Sequence, residues 1–373
     1  MTPDPPHADA RRPRLRATLR WLARGLLLAT LGGWALAVVA TDRTAASQWL
    51  FWTPREAWLV LAVALAVPAT LFTPRPQRLR RWLPAIAAGV LVLHTAFLHW
   101  RLANVVLRPS GPTALRLAHW NATEATDASL QAFLREQDPF AIGAATPGVV
   151  VLANPPLRLP WEDIVRALAP RELTGADLTR HLARAGRVVF ISGAPISRSG
   201  SSTLGLAGRT RTEMLDRGRA AFAELDTEAG PIVLWAIDWP SDPSIVRIDM
   251  VRPSRESIDT SVHRRFGPTA AGPMRATRTT GFPPADVVLG DFNTARGSAA
   301  VDALLPGMAS AHAQAGIGPG YAWPRDHVFP GIPLLALDQA FVRRDAWRAT
   351  RYRVHDTGSG VHRAQLLAIT PAR

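Results

Sequence analysis

The sequence predicts an α/β domain that is preceded by three membrane-spanning helices. The first part of the chain contains three long apolar segments, and short β-like runs alternate with helical stretches from Leu115 onward. Alternating strands and helices are typical of an α/β sheet protein. The composition, 47% hydrophobic and 19% charged, excludes a disordered or collagen-like chain. We therefore divide the chain into a basic arm at residues 1–20, a membrane anchor at 21–107 and an α/β domain at 108–373.

The anchor is predicted from apolar segments at residues 21–40, 57–72 and 83–107. A helix that crosses the hydrocarbon core needs roughly 20 apolar residues, with a range of about 17–25, so the second segment is short. Tryptophans lie near the segment ends, as in the aromatic belts of membrane proteins. They are Trp21, Trp49, Trp52, Trp58, Trp82 and Trp100. Two alternatives stay open: core helices of a soluble domain, and a cleaved signal peptide for the first segment.

The distribution of arginine predicts the orientation of this anchor. The chain contains no lysine, so arginine carries the basic charge behind the formal net charge of +14. Residues 1–107 contain 13 arginines and four acidic residues, a net +9, which leaves +5 for residues 108–373. Arginines cluster in the N-terminal arm and the second loop, and arginine-rich loops stay in the cytoplasm. The sequence thus predicts a multi-pass protein of the bacterial inner membrane, in contact with the lipid bilayer, with its C-terminal domain on the periplasmic or extracellular side.

Several function classes are excluded or weakened by residue types. The chain has no cysteine, which excludes disulfides, thiolate zinc sites and cysteine nucleophiles. It has no Gly-x-Ser-x-Gly elbow, no Walker loop and no dinucleotide-binding glycine pattern,. A nucleic-acid-binding module would rest on charge alone, because no interleaved stripe of aromatic and basic residues accompanies the +5 of the domain.

The order of elements in the α/β domain follows from hydrophobic periodicity. Predicted strands are Leu115–Trp120, Val149–Ala153, Arg187–Ser192, Ile232–Asp238, Val287–Gly290, Leu335–Val342 and Gln365–Thr370. Predicted helices are 124–137, 161–169, 176–185, 245–265 and 297–304. The segments 267–284 and 316–333, rich in proline and glycine, are predicted loops.

The sharpest local motif is Gly290-Asp291-Phe292-Asn293, which follows an apolar strand. Strand alternation would place Asp291 and Asn293 on the same side. A carboxylate and a carboxamide in this arrangement can bind a hard cation and orient a phosphate. The alternative is that both side chains only cap a turn after the strand.

The motif is one of an ordered series of strand ends and loops. The series is Leu115–Asn121, Pro147–Asn154, Arg187–Ile196, the strand ending at Asp238, Gly290–Thr294, Tyr321–Pro324, Leu337–Val342 and Gly358–Arg363. Over about 115–370 this order and spacing resemble the endonuclease/exonuclease/phosphatase family of deoxyribonuclease-like, metal-dependent phosphoesterases. The chain is most similar to the membrane-anchored bacterial branch of that family.

The resemblance implies a four-layer α/β sandwich and hydrolysis of a phosphodiester or phosphomonoester by water, assisted by Mg²⁺ or Mn²⁺. By position, Asn121 and Asn293 would hold phosphate or metal, and Asp291 would orient the attacking water. Asp338 would support the imidazole or the metal, and His362 would contact the phosphoryl oxygens. The implied substrate is a phosphoester in a nucleic acid, a nucleotide or a phospholipid head group, and no protein partner is inferred.

Four positions depart from the family pattern. Asn154 stands where the family has a metal-binding glutamate, and Asp238 stands where it has histidine, with the register uncertain by one residue. Val361 replaces an aspartate, and Gln339 replaces a histidine. The predicted metal ligands are Asn121, Asn154, Asp238 and Asp291. Two hypotheses remain: a remodelled but working phosphoesterase, and a catalytically lapsed member that acts as an envelope binding protein.

Overall fold

The computed structural model describes residues 11–73, 78–107, 109–141, 146–156, 158–173, 175–204, 218–266, 276–324 and 334–372. The chain forms two compact units, Met1–Leu102 and Ala103–Arg373. Residues 1–10 of the basic arm, and residues 267–275 and 325–333 of the predicted loops, lie outside the described residues.

The first unit is helical. Its helices are α1 Arg11–Ala40, α2 Ala45–Trp52, α3 Arg55–Leu71 and α4 Arg78–His94, the last continued by a π-helical turn at Thr95–His99. Small residues let α1 and α3 approach closely: Ala62, Ala66 and Ala69 are buried, and a Cβ on Gly33 would lie 2.9 Å from the Trp58 ring.

Two apolar helical segments, Arg14–Ala40 and Trp82–Leu107, are long enough to cross a membrane. The second predicted span, 57–72, falls on α3, a helix of 17 residues that is bent by 77° from α2. The number of candidate spans is therefore two, or three if this bent pair forms one span.

The second unit contains two six-stranded sheets, and the predicted α/β fold class is confirmed. Sheet 1 has the strand order β13-β14-β1-β2-β4-β3, sheet 2 has the order β11-β12-β10-β7-β6-β5, and β8 pairs with β9. The strands are β1 Leu115–Asn121, β2 Gly148–Ala153, β3 Leu182–Ala185, β4 Val188–Ser192, β5 Ile196–Thr203, β6 Arg219–Thr227, β7 Gly230–Asp238, β8 Val262–Phe266, β9 Ala276–Thr280, β10 Val287–Asp291, β11 Met308–Ser310, β12 Asp338–Arg343, β13 Trp347–His355 and β14 Ala364–Pro371. The helices are α5 Asn104–Leu107, α6 Asp127–Glu136, α7 Trp161–Leu168, α8 Gly175–Thr179, α9 Val251–Thr260, α10 Ala299–Leu304 and α11 Ala311–Ala315, with a 3₁₀ turn at Arg247–Met250.

Strand alternation builds the layers. On β1, Leu115 and Leu117 pack into a core shared by the two sheets, whereas Ala118 and Trp120 face a second core under α6 and α7. Sheet 2 has a corresponding outer core under α9 and α10. The two sheets are thus packed face to face, and helices cover their outer faces, as in an α/β sandwich.

Some predicted elements are wrong. The predicted helix 176–185 is a short helix, Gly175–Thr179, followed by β3, and the predicted helix 245–265 is replaced by a 3₁₀ turn, α9 and β8. The predicted loop 267–284 contains the strand β9, and β11 was not predicted. The strands β5, β6 and β13 were not predicted either. Their sequences are rich in serine, alanine and arginine, because their outward residues are polar and many inward residues are small.

Candidate metal and phosphate site

Three aspartates lie side by side at the ends of neighbouring strands of sheet 2. In the register of the sheet, Asp291 of β10 pairs with Asp238 of the parallel strand β7 and with Asp338 of the antiparallel strand β12. Neighbouring strands are about 4.8 Å apart. Gly290 is required here because a Cβ would collide with the carbonyl oxygen of Ile237. The three carboxylates share one face, since residues two positions before or after them on each strand belong to the core between the sheets.

His362 joins this row from sheet 1, where it precedes β14. Its Nδ1 donates to Asp338 Oδ2 at 2.7 Å, and its Nε2 lies 3.6 Å from Asp291 Oδ2. The Trp120 indole donates to the carbonyl oxygen of His362 at 3.0 Å, which fixes the backbone. The ligand atoms of Asp291, Asp338 and His362 all lie within 4.8 Å of one another, and all three residues are buried.

Two asparagines from sheet 1 complete the cluster. Asn121 Nδ2 donates to Asp291 Oδ2 at 3.0 Å. Asn154 Nδ2 donates to Asn121 Oδ1 at 3.3 Å and to Asp238 Oδ2 at 2.9 Å. Asn154 follows β2 with φ of 50°, a left-handed conformation that asparagine adopts more readily than most residues. The structure therefore brings together Asn121, Asn154, Asp238, Asp291, Asp338 and His362, which lie far apart in the sequence.

Asn293 has a different position from the one that strand alternation predicts. The strand ends at Asp291, and Asn293 has φ of 46°. Its backbone N–H donates to Asp291 Oδ1 at 2.9 Å, and its side chain donates to the Trp239 carbonyl oxygen at 2.7 Å. Asn293 thus shapes the turn and orients Asp291 through the backbone, as the turn-capping interpretation describes.

Two further residues hold the same turn, and sequence reasoning missed what they do. Arg247, which is fully buried, donates from Nε to the Asn293 carbonyl oxygen at 2.9 Å. Gln339, at the position where the family has histidine, donates to the Thr294 carbonyl oxygen at 2.9 Å. No sequence signal singles out Arg247, because other charged residues, Asp249 and Arg252, lie close to it in the chain.

The electrostatics of the cluster follow from burial and crowding. The pKa of Asp291 is raised to about 7, and burial is the largest cause. The charge of His362 lowers this pKa, and the nearby carboxylates of Asp338 and Asp238 raise it. Burial alone would lower the pKa of His362, but the charges of Asp338 and Asp291 and the hydrogen bond to Asp338 raise it to about 9. His362 is therefore an imidazolium at neutral pH.

A buried polar pair that no sequence motif indicates adjoins the cluster. His119 of β1 and Gln365 of β14 are paired in the sheet register and are each 1% exposed. Both ring nitrogens of His119 and both amide atoms of Gln365 lack hydrogen-bond partners among the described residues, as does Asp338 Oδ1. Burial lowers the pKa of His119 to about 4, with opposing smaller effects of Asp338 and His362.

The donor set fits a hard divalent cation. Such ions prefer carboxylate and amide oxygens, and the cluster contains three carboxylates and two amide side chains. Asp338 Oδ1 has no hydrogen-bond donor among the described residues. Burial and, to a smaller extent, the charges of Asp338 and Asp238 raise the pKa of Asp291, and a cation bound to these oxygens would offset the repulsion between the carboxylates.

Val361, which replaces an aspartate of the family pattern, does not leave the imidazole unsupported. Its backbone N–H donates to the Thr123 carbonyl oxygen at 3.4 Å, and Asp338 orients His362 directly. The departure at Val361 therefore removes one negative charge from the segment before His362 while the hydrogen bond to the ring is kept.

A comparison with protein families identifies one family for this chain. The sequence model of the Endonuclease/Exonuclease/phosphatase family matches residues 49–361. No curated protein matches the chain.

Three of the solved structures to which the chain is similar are the following. A Bacteroides thetaiotaomicron protein of this family is 12% identical, with 70% of this chain and 98% of that chain covered and a TM-score of 0.44. A mannosyl-6-phosphatase from the same species is 11% identical, with 69% and 100% covered and a TM-score of 0.45. TDP2 from D. rerio, complexed with a single-strand DNA product, is 14% identical, with 69% and 98% covered and a TM-score of 0.42.

Proposed function

The chain belongs to the endonuclease/exonuclease/phosphatase family, whose members are hydrolases that act on phosphoesters, and we propose that its α/β domain is a divalent-metal-dependent phosphoesterase. The observation that carries the proposal is the convergence of Asp291, Asp338 and His362 with Asp238 and Asn121 at one end of the sandwich. We infer Mg²⁺ or Mn²⁺ as the cofactor, because the donor set is made of hard oxygen ligands with one imidazole.

Asp291, Asp238, Asn121 and Asn154 are the residues that would hold the cation. When bound, the cation would polarise a phosphoryl oxygen and neutralise charge that develops on the phosphate. Asn121 keeps Asp291 Oδ2 in place through a 3.0 Å hydrogen bond, and the backbone of Asn293 holds Oδ1 at 2.9 Å. Asp291 is thereby fixed to orient the attacking water.

His362 and Asp338 act as a second unit. Asp338 holds Nδ1 of the imidazole at 2.7 Å, so that Nε2 faces Asp291 and the centre of the cluster. Because the pKa of His362 is raised to about 9, the ring is protonated at neutral pH and can donate to a phosphoryl oxygen. Fixed donors of this kind stabilise the charge of the transition state.

The second candidate is a binding protein in which catalysis has lapsed. It is favoured by Asn154, which supplies a neutral oxygen where the family has a carboxylate. Against it stands Asp238, whose carboxylate contacts Asn154 at 2.9 Å and lies beside Asp291 in the sheet. In this proposal Asp238 replaces the missing charge from the neighbouring sheet.

An activity screen of the purified full chain separates the two candidates. The substrates are phosphomonoesters and phosphodiesters of nitrophenol, nucleotides, single-stranded DNA and phospholipids, each with Mg²⁺, with Mn²⁺ and with EDTA. We expect metal-dependent hydrolysis of at least one class, lowered by about 10²–10⁴-fold in His362→Ala. His355→Ala is the matched control, because that histidine contacts Glu136 at the surface. Absence of hydrolysis in every arm would favour the binding protein.

We further propose that the apolar helices anchor the protein in the bacterial inner membrane with the α/β domain outside. The proposal rests on the two or three candidate spans and on the arginines of the N-terminal arm and second loop. The chain has no cysteine, so a single introduced cysteine can be labelled selectively. Asp345→Cys should react with a membrane-impermeant maleimide in intact spheroplasts. Arg12→Cys, which precedes the candidate span Arg14–Ala40, should react only after lysis; the opposite pattern would contradict the orientation.

A further inference from the structure

A cavity of about 750 Å³ lies on the outer face of sheet 1, away from the candidate site. Its lining includes Arg116, Arg351 and Arg353, together with the segment Pro109–Thr113. Arg116 alternates along β1 with Leu115 and Leu117, which face the inner core, so the arginine points to the opposite side. A volume of this size is typical of sites for small ligands.

The sheet register places the arginines around a floor of small side chains. Arg116 of β1 and Arg351 of β13 both pair with Ala368 of β14, so their Cα atoms are two strand spacings, about 10 Å, apart. Arg353 follows on the same face of β13, and Arg116 pairs on its other side with Gly148. Alanine and glycine leave room above the sheet between the guanidinium groups.

Among the described residues, none forms an ion pair with the three arginines of this cavity, Arg116, Arg351 and Arg353. Arg116 Nε and Nη2 are buried without a hydrogen-bond acceptor. The acid in the lining, Glu136, contacts His355 at 3.2 Å. Arginine stays protonated in proteins, so the cavity presents a permanent positive charge and unpaired donors.

We propose that this cavity binds a phosphate group, carried either by a free anion or by the head group of an anionic phospholipid. Guanidinium groups match phosphate oxygens in pairs, with stronger hydrogen bonds than neutral donors form. A lipid head group is one source of this phosphate, because the lining begins at Pro109, two residues along the chain from the end of the apolar segment at Leu107. The proposal shares no residue with the candidate metal site and does not rest on the proposed phosphoesterase activity, whereas its lipid arm rests on the proposed membrane anchor.

The test measures protection of the arginines from phenylglyoxal, read for each peptide by mass spectrometry. The full chain is held in phosphatidylcholine nanodiscs with EDTA, on an Asp291→Asn background that weakens phosphate binding at the candidate metal site. Inorganic phosphate is compared with chloride at equal ionic strength. At a phosphate concentration ten times its Kd, modification of Arg351 and Arg353 should slow about tenfold. Arg348, exposed on the same strand outside the cavity lining, is the internal control and should react unchanged.

The lipid arm omits phosphate and adds phosphatidylglycerol to the nanodiscs. Protection in this arm alone identifies a lipid head group, protection by inorganic phosphate alone identifies a free anion, and either result supports the site. Arg116→Ala should abolish the protection of Arg351 and Arg353, whereas Arg348→Ala should keep it. If Arg116→Ala fails to fold, Arg353→Ala is used instead, because this change is at an exposed position. The quantity measured is then the protection of Arg351, which should be lost. Equal modification rates in all arms, or equal protection of Arg348, would overturn the proposal.

Discussion

Replacement of His119 by leucine should remove a defined part of the acid sensitivity of the α/β domain. His119 is 1% exposed in the native protein, and burial lowers its pKa from 6.5 to about 4. Its ring is therefore neutral in the folded state over a pH range in which it takes up a proton in the unfolded state. Leucine has a similar volume and no ionisable group, so the variant isolates this effect.

The sign and size follow from linkage. Above pH 6.5 the ring is neutral in both states and contributes no pH dependence. As the pH falls below 6.5 the unfolded state binds the proton first, so stability is lost until the pH reaches about 4,. The gap between the two pKa values corresponds to about 3 kcal/mol of stability lost by the time the pH has fallen to about 4,.

The assay is hydrogen exchange of the β1 amides of the full chain in detergent, because these amides exchange through opening of the α/β domain. The free energy of opening is measured at pH 7.5 and pH 4. His119→Leu should lose about 3 kcal/mol less than the wild-type protein between these values. Arg348→Gln, at an exposed position of β13 that does not titrate in this pH range, should behave as the wild type. An equal loss in His119→Leu and the wild type would refute the reasoning.

Three other changes have expected outcomes of known sign. The double variant His119→Leu/Gln365→Leu should have a higher thermal unfolding temperature at pH 7.5 than either single variant. The reason is that the buried polar atoms without hydrogen-bond partners are removed from both residues together,. Asn154→Glu should destabilise the metal-free protein, since it sets a carboxylate beside Asp238, yet bind Mn²⁺ at least about tenfold more tightly by calorimetry. Gly33→Leu should lower the stability of the helical unit by about 1–3 kcal/mol in detergent unfolding, whereas Gly32→Leu, with open space around its Cβ, should not. The first expectation would be contradicted if the double variant were no more stable than the single variants. The second would be contradicted if Asn154→Glu bound Mn²⁺ more weakly than the wild type, and the third if the two glycine substitutions had equal effects.

The sequence predicts most of the elements that carry the site. Asp291 and Asp238 come at the ends of apolar segments, and hydrophobic periodicity predicts such segments as buried β-strands. Once the two strands are parallel neighbours, their final residues must lie side by side. The order of motifs along the chain supplies the remaining positions, Asn121, Asp338 and His362.

Other features depend on contacts that no local pattern records. Asn293 leaves the alternation because the strand ends two residues before it, and a strand end is set by pairing partners rather than by the sequence of the motif. In the sequence, His119 and Gln365 look like ordinary polar residues. Only the pairing of β1 with β14 shows that they lie next to each other, buried and without hydrogen-bond partners for their side chains among the described residues. The strand β13 was missed because its outward arginines resemble a solvated surface.

The most direct test of the central claim is the rate of hydrolysis measured as a function of Mn²⁺ concentration. The substrate is the best one from the activity screen, and the proteins compared are the wild type, Asp291→Asn and Asp345→Asn. Asp345 is an exposed carboxylate outside the cluster and serves as the control. The wild type and Asp345→Asn should show the same saturable rise in rate, and Asp291→Asn should lose about 10²-fold or more of the rate at every concentration. A rate that does not change with Mn²⁺, or one that is equal in Asp291→Asn and the wild type, would contradict the assignment of the Asp238, Asp291, Asp338 and His362 cluster as a metal-dependent phosphoesterase site.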